Sequence, residues 1–221
     1  DPSNAAIWLW ALQRAQKSGD AATARAALTS AAQAAHFDDY FGALTSVLYQ
    51  AAGILPVGEN ILRASNQPGV SASGFKLTYA GVLAAAVTMD SIAPLEKACK
   101  DTSSDATLAS DCLAVAQKLA DSGSLFARRR GAEMLMRLVP HGATHDAAAV
   151  QARTQLWRTQ GIGSIADRLM NDSRVTGLYT QALKASGREI DAVDAVLRSQ
   201  RIALEPPADW QPPAPNAAPE P

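Results

Sequence analysis

The chain has 221 residues, of which 48% are hydrophobic but 5% aromatic, and alanine is its most frequent residue. Its 20 basic and 21 acidic side chains leave a net charge of -1, which argues against nucleic acid or an anionic membrane as a partner. The length suits one domain of ordinary size or two small ones, with a substantial buried core. Small apolar side chains in this proportion favour closely packed helices.

A helical hairpin is predicted at the start of the chain. Ser3 or Asn4 supplies a cap signal, and the first helix then places Trp10 on a different face from its apolar stripe. Residues 18–20, Ser-Gly-Asp, end this helix and cap the next one. Because so short a connection brings neighbouring helices together, the pair is expected to be antiparallel.

This hairpin resembles a tetratricopeptide repeat over residues 1–36. Trp8, Ala24 and Leu28 have the spacing of the family's tryptophan, alanine and bulky residue, with Leu28 in place of the usual phenylalanine and His36 in place of the proline. The resemblance implies a surface that binds a protein or peptide rather than a catalytic site. As a whole, the chain also resembles alanine-rich exported proteins of Gram-negative bacteria.

The rest of the chain is predicted to be helical as well. No stretch alternates apolar and polar residues with β-branched enrichment, so we expect essentially no sheet. The predicted helices are Asp38 to Ala52, Glu59 to Ala64, Phe75 to Thr88, Ser91 to Lys100, Ala106 to Asp121, Ser124 to Val139, Ala143 to Gln160, Ile165 to Asn171, Val175 to Ser186 and Glu189 to Gln200. The sequence therefore predicts an all-α fold of nine to eleven antiparallel helices, as a repeat-like array or an irregular bundle, in one domain over residues 1–204.

Cys99 and Cys112 are the two cysteines of the chain, and a polar stretch with a cap signal at Ser104 or Asp105 lies between them. They are expected to face each other across a helical hairpin and form a disulfide; the alternative is two unrelated buried thiols. A disulfide favours an oxidising compartment, so we predict a periplasmic or secreted protein. A chain that begins with Asp1 rather than Met is also expected to be a processed or shortened product, without its signal segment.

The C-terminal residues 205–221 are rich in proline, and more than half of the twelve prolines lie there. This tail is predicted to be extended and largely unpacked. Trp210 lies within it, and two alternatives follow: the side chain docks on a partner, or it folds back onto an apolar surface of its own domain. Trp10 and Trp210 are the candidate partner-binding residues.

Two uncharged segments are candidates for a membrane span. Residues 40–58 contain interrupting glycines and Pro56, and residues 77–89 are too short, so no transmembrane span is predicted. The second segment is expected to be a buried helix. If both segments lined an enclosed cavity, an apolar-ligand carrier would be the function.

Residues that support catalysis or metal binding are scarce. His141 and His145 are four residues apart, but Pro140 places His141 before the helix, and His36 is expected in a loop, so no metal site is predicted. Residues 161–164, Gly-Ile-Gly-Ser, are predicted to form a turn with Ser164 as a helix cap, not a nucleophile elbow or a phosphate loop.

Carboxylates and arginines complete the set of candidates. Glu59, Glu96 and Glu133 are the more interior carboxylates, and any one of them could serve a cell-wall-acting enzyme in a helical cleft. Residues 128–130 are three consecutive arginines, which spread around a helix, and Arg129 and Arg130 have the spacing of helical ion pairs with Glu133.

These observations favour a non-enzymatic protein–protein interaction module of the bacterial envelope, such as an inhibitor or immunity protein or an adaptor. No catalytic residue and no cofactor is predicted, and the expected partner is another protein or a peptide. A glutamate-dependent enzyme and an apolar-ligand carrier are the alternatives.

Overall fold

The computed structural model describes residues 1–54, 69–88 and 92–212, which form eleven helices and no strand. The helices are α1 Ala5–Ser18, α2 Ala21–Gln33, α3 Phe41–Gly53, α4 Ala72–Thr88, α5 Ile92–Ala98, α6 Ala106–Ala120, α7 Leu125–Leu138, α8 Ala143–Ser164, α9 Ala166–Asn171, α10 Ser173–Ser186 and α11 Glu189–Ser199. The all-α prediction is confirmed for this part of the chain. The predicted helix at residues 59–64 and the last residues of the tail lie outside it.

Polar side chains explain where several of the helices begin. Asn4, Asp20, Asp105 and Ser124 each accept a hydrogen bond from a backbone N–H in the first turn of the helix that follows. These bonds satisfy donors that have no partner within the helix. Of the two alternatives predicted for α1 and for α6, the caps are therefore Asn4 and Asp105.

The buried apolar side chains form two clusters. The first contains residues of α1, α2, α5 and α6, together with most of the inner face of α7 and the first half of α8. The second is built mainly from α10 and α11 and includes Leu77 of α4, Leu125 at the start of α7 and Ile162 near the end of α8. Helices α7 and α8 therefore belong to both clusters and join them.

Close helix packing depends on small residues at the contact. A side chain at Gly131 of α7 would place its Cβ 2.3 Å from the backbone nitrogen of Ala120, at the end of α6. Such a contact is far inside van der Waals distance, so α6 and α7 can approach this closely only with glycine at that position. At this position the backbones of α6 and α7 are in direct contact, which is closer than the predicted packing of small side chains.

Helix α8 is longer than the sequence indicated. It continues through residues 161–163 to Ser164, whose Oγ donates to the carbonyl oxygen of Gly161 within the same helix. The prediction of a turn with Ser164 as cap is therefore wrong. Gly161 serves packing instead: a Cβ there would lie 3.1 Å from a methyl group of Leu197 in α11. Glycine in this helix marks the contact between α8 and α11 rather than a break.

Candidate functional site

An open groove separates the α1–α2 hairpin from the α5–α6 hairpin, with a cavity volume of about 420 Å³. Its apolar lining comprises Leu12, Ala15, Ala21, Ala24, Leu28, Ala98 and Leu108. Its polar rim comprises Gln16, Asp20, Arg25, Lys97 and Asp105. Four of these seven apolar residues are alanines, and their short side chains leave a space that larger residues would fill. The alanine-rich composition thus produces both close packing and this groove.

The α1–α2 turn determines which residues face the groove. Helix α1 ends at Gly19, and Asp20 caps α2 by accepting hydrogen bonds from the backbone nitrogen and hydroxyl of Thr23. Helix α2 then places Ala21, Ala24 and Arg25 on one face because these residues are three and four apart. The hairpin predicted from the sequence therefore supplies one complete wall of the groove.

The opposite wall is fixed by the disulfide between Cys99 and Cys112, as predicted. Cys99 follows the last residue of α5 and Cys112 lies on α6; their Cα atoms are 5.8 Å apart and both residues are buried. Lys97 and Ala98 precede the first cysteine, and Leu108 lies one turn before the second. The bond therefore holds the α5 and α6 portions of the groove together.

Arg25 gives the groove its main electrostatic feature. Its Nη2 atom lies 3.7 Å from Asp105 and 3.8 Å from Asp111, and Asp111 also accepts a hydrogen bond of 2.8 Å from Thr29. The other terminal nitrogen, Nη1, is buried and has no hydrogen-bond partner among the described residues. About a third of the Arg25 side chain is exposed at the rim of the groove, so part of the guanidinium is accessible to an acceptor.

A second depression of about 390 Å³ lies on the other side of Gln16, between α1 and α5. It shares Gln16 and Lys97 with the groove, and the Gln16 side chain donates to the carbonyl oxygen of Pro94 over 2.9 Å. Trp10 is 40% exposed and precedes Gln13, which lines this depression, by one helical turn. Trp10 thus lies on the α1 face leading to the second depression and does not line the main groove.

Trp210 lies elsewhere, against α8. Its ring packs edge-to-face on Trp157 with centroids 5.5 Å apart, and the guanidinium of Arg153 lies 5.6 Å from its centroid. Of the two alternatives for this residue, the structure has the side chain folded back on its own domain. The two candidate tryptophans are therefore not brought together.

Two of the three interior glutamates form ion pairs. Arg130 contacts both Glu96 of α5 and Glu133 of α7, and Arg129 donates to Glu133 over 2.8 Å, so the two helical ion pairs predicted for Glu133 are present. These side chains connect α5 to α7 and are partly exposed. Glu59 lies outside the described residues.

A pair of carboxylates that the sequence did not single out lies where three helices begin. The Glu189 carboxylate accepts a hydrogen bond of 2.8 Å from the backbone nitrogen of Leu125, and Asp39 accepts one of 3.0 Å from Phe41. Burial is the main cause that raises the pKa of Glu189 to about 7; the hydrogen bond from Leu125 opposes this rise and the nearby charge of Asp39 adds to it. Burial also raises the pKa of Asp39. The pair can therefore hold a proton near neutral pH.

This pair leaves little trace in the sequence. An acidic residue in the first turn of a helix, as at Glu189, is ordinarily explained by the helix dipole. Its burial arises because Leu125 begins α7 beside it and Tyr179 of α10 lies close by. That convergence of elements depends on the tertiary fold.

The histidines do not meet one another. His141 precedes α8 as predicted, His145 lies 3.3 Å from the carboxylate of Asp146, and His36 is exposed about 4.0 Å from Asp1. Within residues 1–54, 69–88 and 92–212, no three histidine, cysteine or acidic side chains are grouped as a metal site would require.

Helices α3 and α4 expose apolar side chains. The large ones are Val47, Ile54, Tyr79, Val82, Leu83 and Val87. By length and composition the stretch Ala72–Ala98 could cross a membrane: an 18-residue window of it has a mean hydropathy of 1.2, and 40% of that window is buried. Core helices of soluble proteins meet the same criterion. The exposure of Val82 and Val87 shows that the expectation of a buried helix holds for one face of α4 only.

Comparison with known proteins gives no further assignment. No family model, no curated protein and no solved structure matches the chain. The tetratricopeptide resemblance of residues 1–36 stays a prediction.

Proposed function

We propose that the protein is an exported, non-enzymatic helical scaffold that binds a segment of another protein in the groove between the α1–α2 and α5–α6 hairpins. An inhibitor or immunity protein and an envelope adaptor are the two forms this role would take. The disulfide is compatible with an oxidising, exported location.

The observation that carries the proposal is an apolar groove with a partly exposed arginine, Arg25, on its rim. A volume of about 420 Å³ accommodates one or two side chains of a peptide and falls in the range of small-ligand sites. Ala24 and Leu108, which are partly exposed in the groove, would supply apolar contacts, while the partly exposed guanidinium of Arg25 would bind a carbonyl or carboxylate oxygen. The expected ligand is therefore a peptide segment with an apolar side chain next to a hydrogen-bond acceptor.

A binding role is better supported than catalysis at the interior glutamates. Glu96 and Glu133 both pair with Arg130, and the pair with Glu96 joins α5 to α7. These pairs orient the carboxylates towards arginine rather than towards a substrate.

A phage-displayed random peptide library, selected on the full-length protein, tests this proposal. The groove variant is Ala21→Trp, because Ala21 is an exposed groove-lining residue where indole would fill the space. The control is Ala22→Trp, one residue further on α2, exposed and outside the groove lining. Peptides selected by the wild type should bind Ala22→Trp within about twofold of wild type and Ala21→Trp at least tenfold more weakly. Equal binding to both variants, or no enriched peptide, would contradict the proposal.

Arg25→Leu separates the apolar and polar parts of the groove. The apolar lining is preserved in this variant, but the acceptor of the peptide loses its partner. Binding should weaken about tenfold, as expected for one charge-assisted hydrogen bond. Unchanged affinity would show that Arg25 does not contact the peptide.

A further inference from the structure

The first part of the C-terminal tail lies on α8 and is held through its backbone. Arg153 donates from Nε and Nη2 to the carbonyl oxygen of Trp210, at 3.2 and 2.6 Å, and from Nη2 to those of Pro207 and Ala208. One guanidinium therefore binds three carbonyl oxygens of a four-residue turn. The turn is closed by a 3.1 Å hydrogen bond from the backbone nitrogen of Trp210 to the carbonyl oxygen of Pro207.

A single aromatic side chain adds to these backbone contacts. The ring of Trp210 packs edge-to-face on Trp157 and also contacts the guanidinium of Arg153. Arg153 and Trp157 are one helical turn apart on α8. The Nε1 atom of Trp157 donates to the carbonyl oxygen of Ala203 over 2.7 Å, which fixes the indole from the side of the domain. The receiving surface is thus a rigid helix face with a positioned donor and a positioned ring.

The bound segment has the chemistry of a ligand. Residues 206–210, Pro-Pro-Ala-Asp-Trp, offer carbonyl acceptors and one anchor side chain, and the two prolines restrict the free segment before it binds. The residues that precede this segment are held differently: Ile202 and Leu204 pack against the second apolar cluster. The tail therefore has a part that belongs to the core and a part held on α8 by the Arg153–Trp157 face.

We infer that the Arg153–Trp157 face of α8 is a peptide-binding site for a proline-rich turn that ends in tryptophan, and that residues 206–210 of the same chain occupy it. A partner that presents such a turn would compete with the intramolecular segment. Covalent attachment gives the chain's own segment a high effective concentration, so an external peptide binds the intact protein weakly until that segment is released. The tail is an intramolecular competitor in this arrangement, and the site is separate from the α1–α2 groove.

The test uses full-length Trp210→Ala, which removes the anchor of the intramolecular segment but keeps the chain. The probe is a capped synthetic peptide with the sequence of residues 206–212, titrated by calorimetry. It should bind Trp210→Ala at least tenfold more tightly than it binds the wild type. Adding Arg153→Ala to Trp210→Ala should weaken binding at least tenfold, whereas adding Arg168→Ala, which removes an arginine on α9, should not. A folded Trp210→Ala protein that does not bind the peptide, or a wild type that binds it equally well, would overturn the inference.

A second measurement does not depend on the Trp210 variant. A protease site inserted between Glu205 and Pro206 allows the tail of the folded protein to be cut after folding. The severed tail should remain bound at high protein concentration, dissociate on dilution and be displaced by the wild-type peptide but not by a peptide with alanine in place of tryptophan. A severed tail that leaves at every concentration, or is displaced equally by both peptides, would contradict the inference.

Discussion

The side chain of Asn4 forms two hydrogen bonds with the backbone of Asp38, donating to its carbonyl oxygen over 2.8 Å and accepting from its nitrogen over 3.0 Å. The same side-chain oxygen caps α1 by accepting from Ala6 over 3.1 Å. Asn4 is fully buried, so one amide connects the start of the chain to the loop before α3. These bonds fix the N-terminal end of the α1–α2 hairpin, outside the groove.

Replacing Asn4 with alanine should therefore be costly. Asn4→Ala removes the cap of α1 and leaves the partly buried backbone groups of Asp38 without these partners, so we expect a loss of about 3 kcal/mol in the free energy of unfolding. Urea denaturation followed by circular dichroism measures it. Ser3→Ala is the control, since the Ser3 hydroxyl bonds to Asp1 at the surface, and its effect should stay within about 0.5 kcal/mol. Equal effects of the two substitutions would show that the Asn4 bonds contribute little.

Much of the helical organisation follows from local signals. The stop at residues 18–20 and the start of α6 were predictable because a capping side chain acts within one turn of its helix. The end of α8 was not, because the effect of Gly161 depends on how close Leu197 of α11 comes. A glycine that breaks a helix and a glycine that permits contact are identical in a single sequence.

The disulfide offers a second stability prediction. The two cysteines are 13 residues apart, and a bond closing a loop of this size is expected to stabilise the fold by about 3 kcal/mol in the chain-entropy model. The double variant Cys99→Ser with Cys112→Ser should lower the free energy of unfolding by about that amount. Mass spectrometry after alkylation of the native, non-reduced protein should find neither cysteine modified. Alkylation of both would remove the argument for an oxidising compartment.

Glycine substitutions should have opposite effects at two positions. Gly131→Ala brings a methyl group against the backbone of Ala120, so α6 and α7 must separate and we expect a loss of at least about 2 kcal/mol. Gly177→Ala in α10 meets no atom within 4 Å and should stabilise the protein by about 0.5 to 1 kcal/mol, because alanine favours helix. Thermal unfolding measured on both variants checks the pair. A stabilised Gly131→Ala would contradict the close approach of α6 and α7.

Glu189 should make stability fall as the pH rises. The pKa of Glu189 is about 7 in the folded protein, against an ordinary value of 4.5 that applies to the unfolded chain. Between these two pH values the folded state therefore holds a proton that the unfolded chain has lost. Stability from this group is present below about pH 4.5 and is lost as the pH rises to about 7, by at most about 1.4 kcal/mol per pH unit. The raised pKa of Asp39 acts in the same direction.

The variant Glu189→Gln isolates this contribution. The amide oxygen can still accept from Leu125, but no charge is buried, so the fall in stability across this pH window should be reduced. Denaturation series at several pH values measure the effect, and Glu205→Gln, at an exposed position of the tail, should follow the wild-type profile. A Glu189→Gln profile as steep as that of the wild type would assign the pH dependence to other groups.

The candidate sites were less predictable than the fold. The sequence indicated the hairpin that forms one wall of the groove, and the cysteine pair that fixes the other, because both depend on short-range connections. The position of the Arg25 guanidinium depends on Asp105 and Asp111, which are some eighty residues away in the chain. The hydrogen bond that holds the backbone of Trp210 depends on Arg153. Neither relationship has a signature at fixed spacing.

The sharing of α7 and α8 between the two apolar clusters bears on how the protein unfolds. Unfolding either cluster would expose apolar side chains of α7 and α8, the helices that also support the other cluster. Partial unfolding at either end is therefore unfavourable. Hydrogen exchange in α1 and in α11 should then be governed by the same global transition, despite the distance between them in the chain. Two apolar clusters joined in this way unfold as one cooperative unit. A ligand bound at either cluster would therefore slow hydrogen exchange at the other.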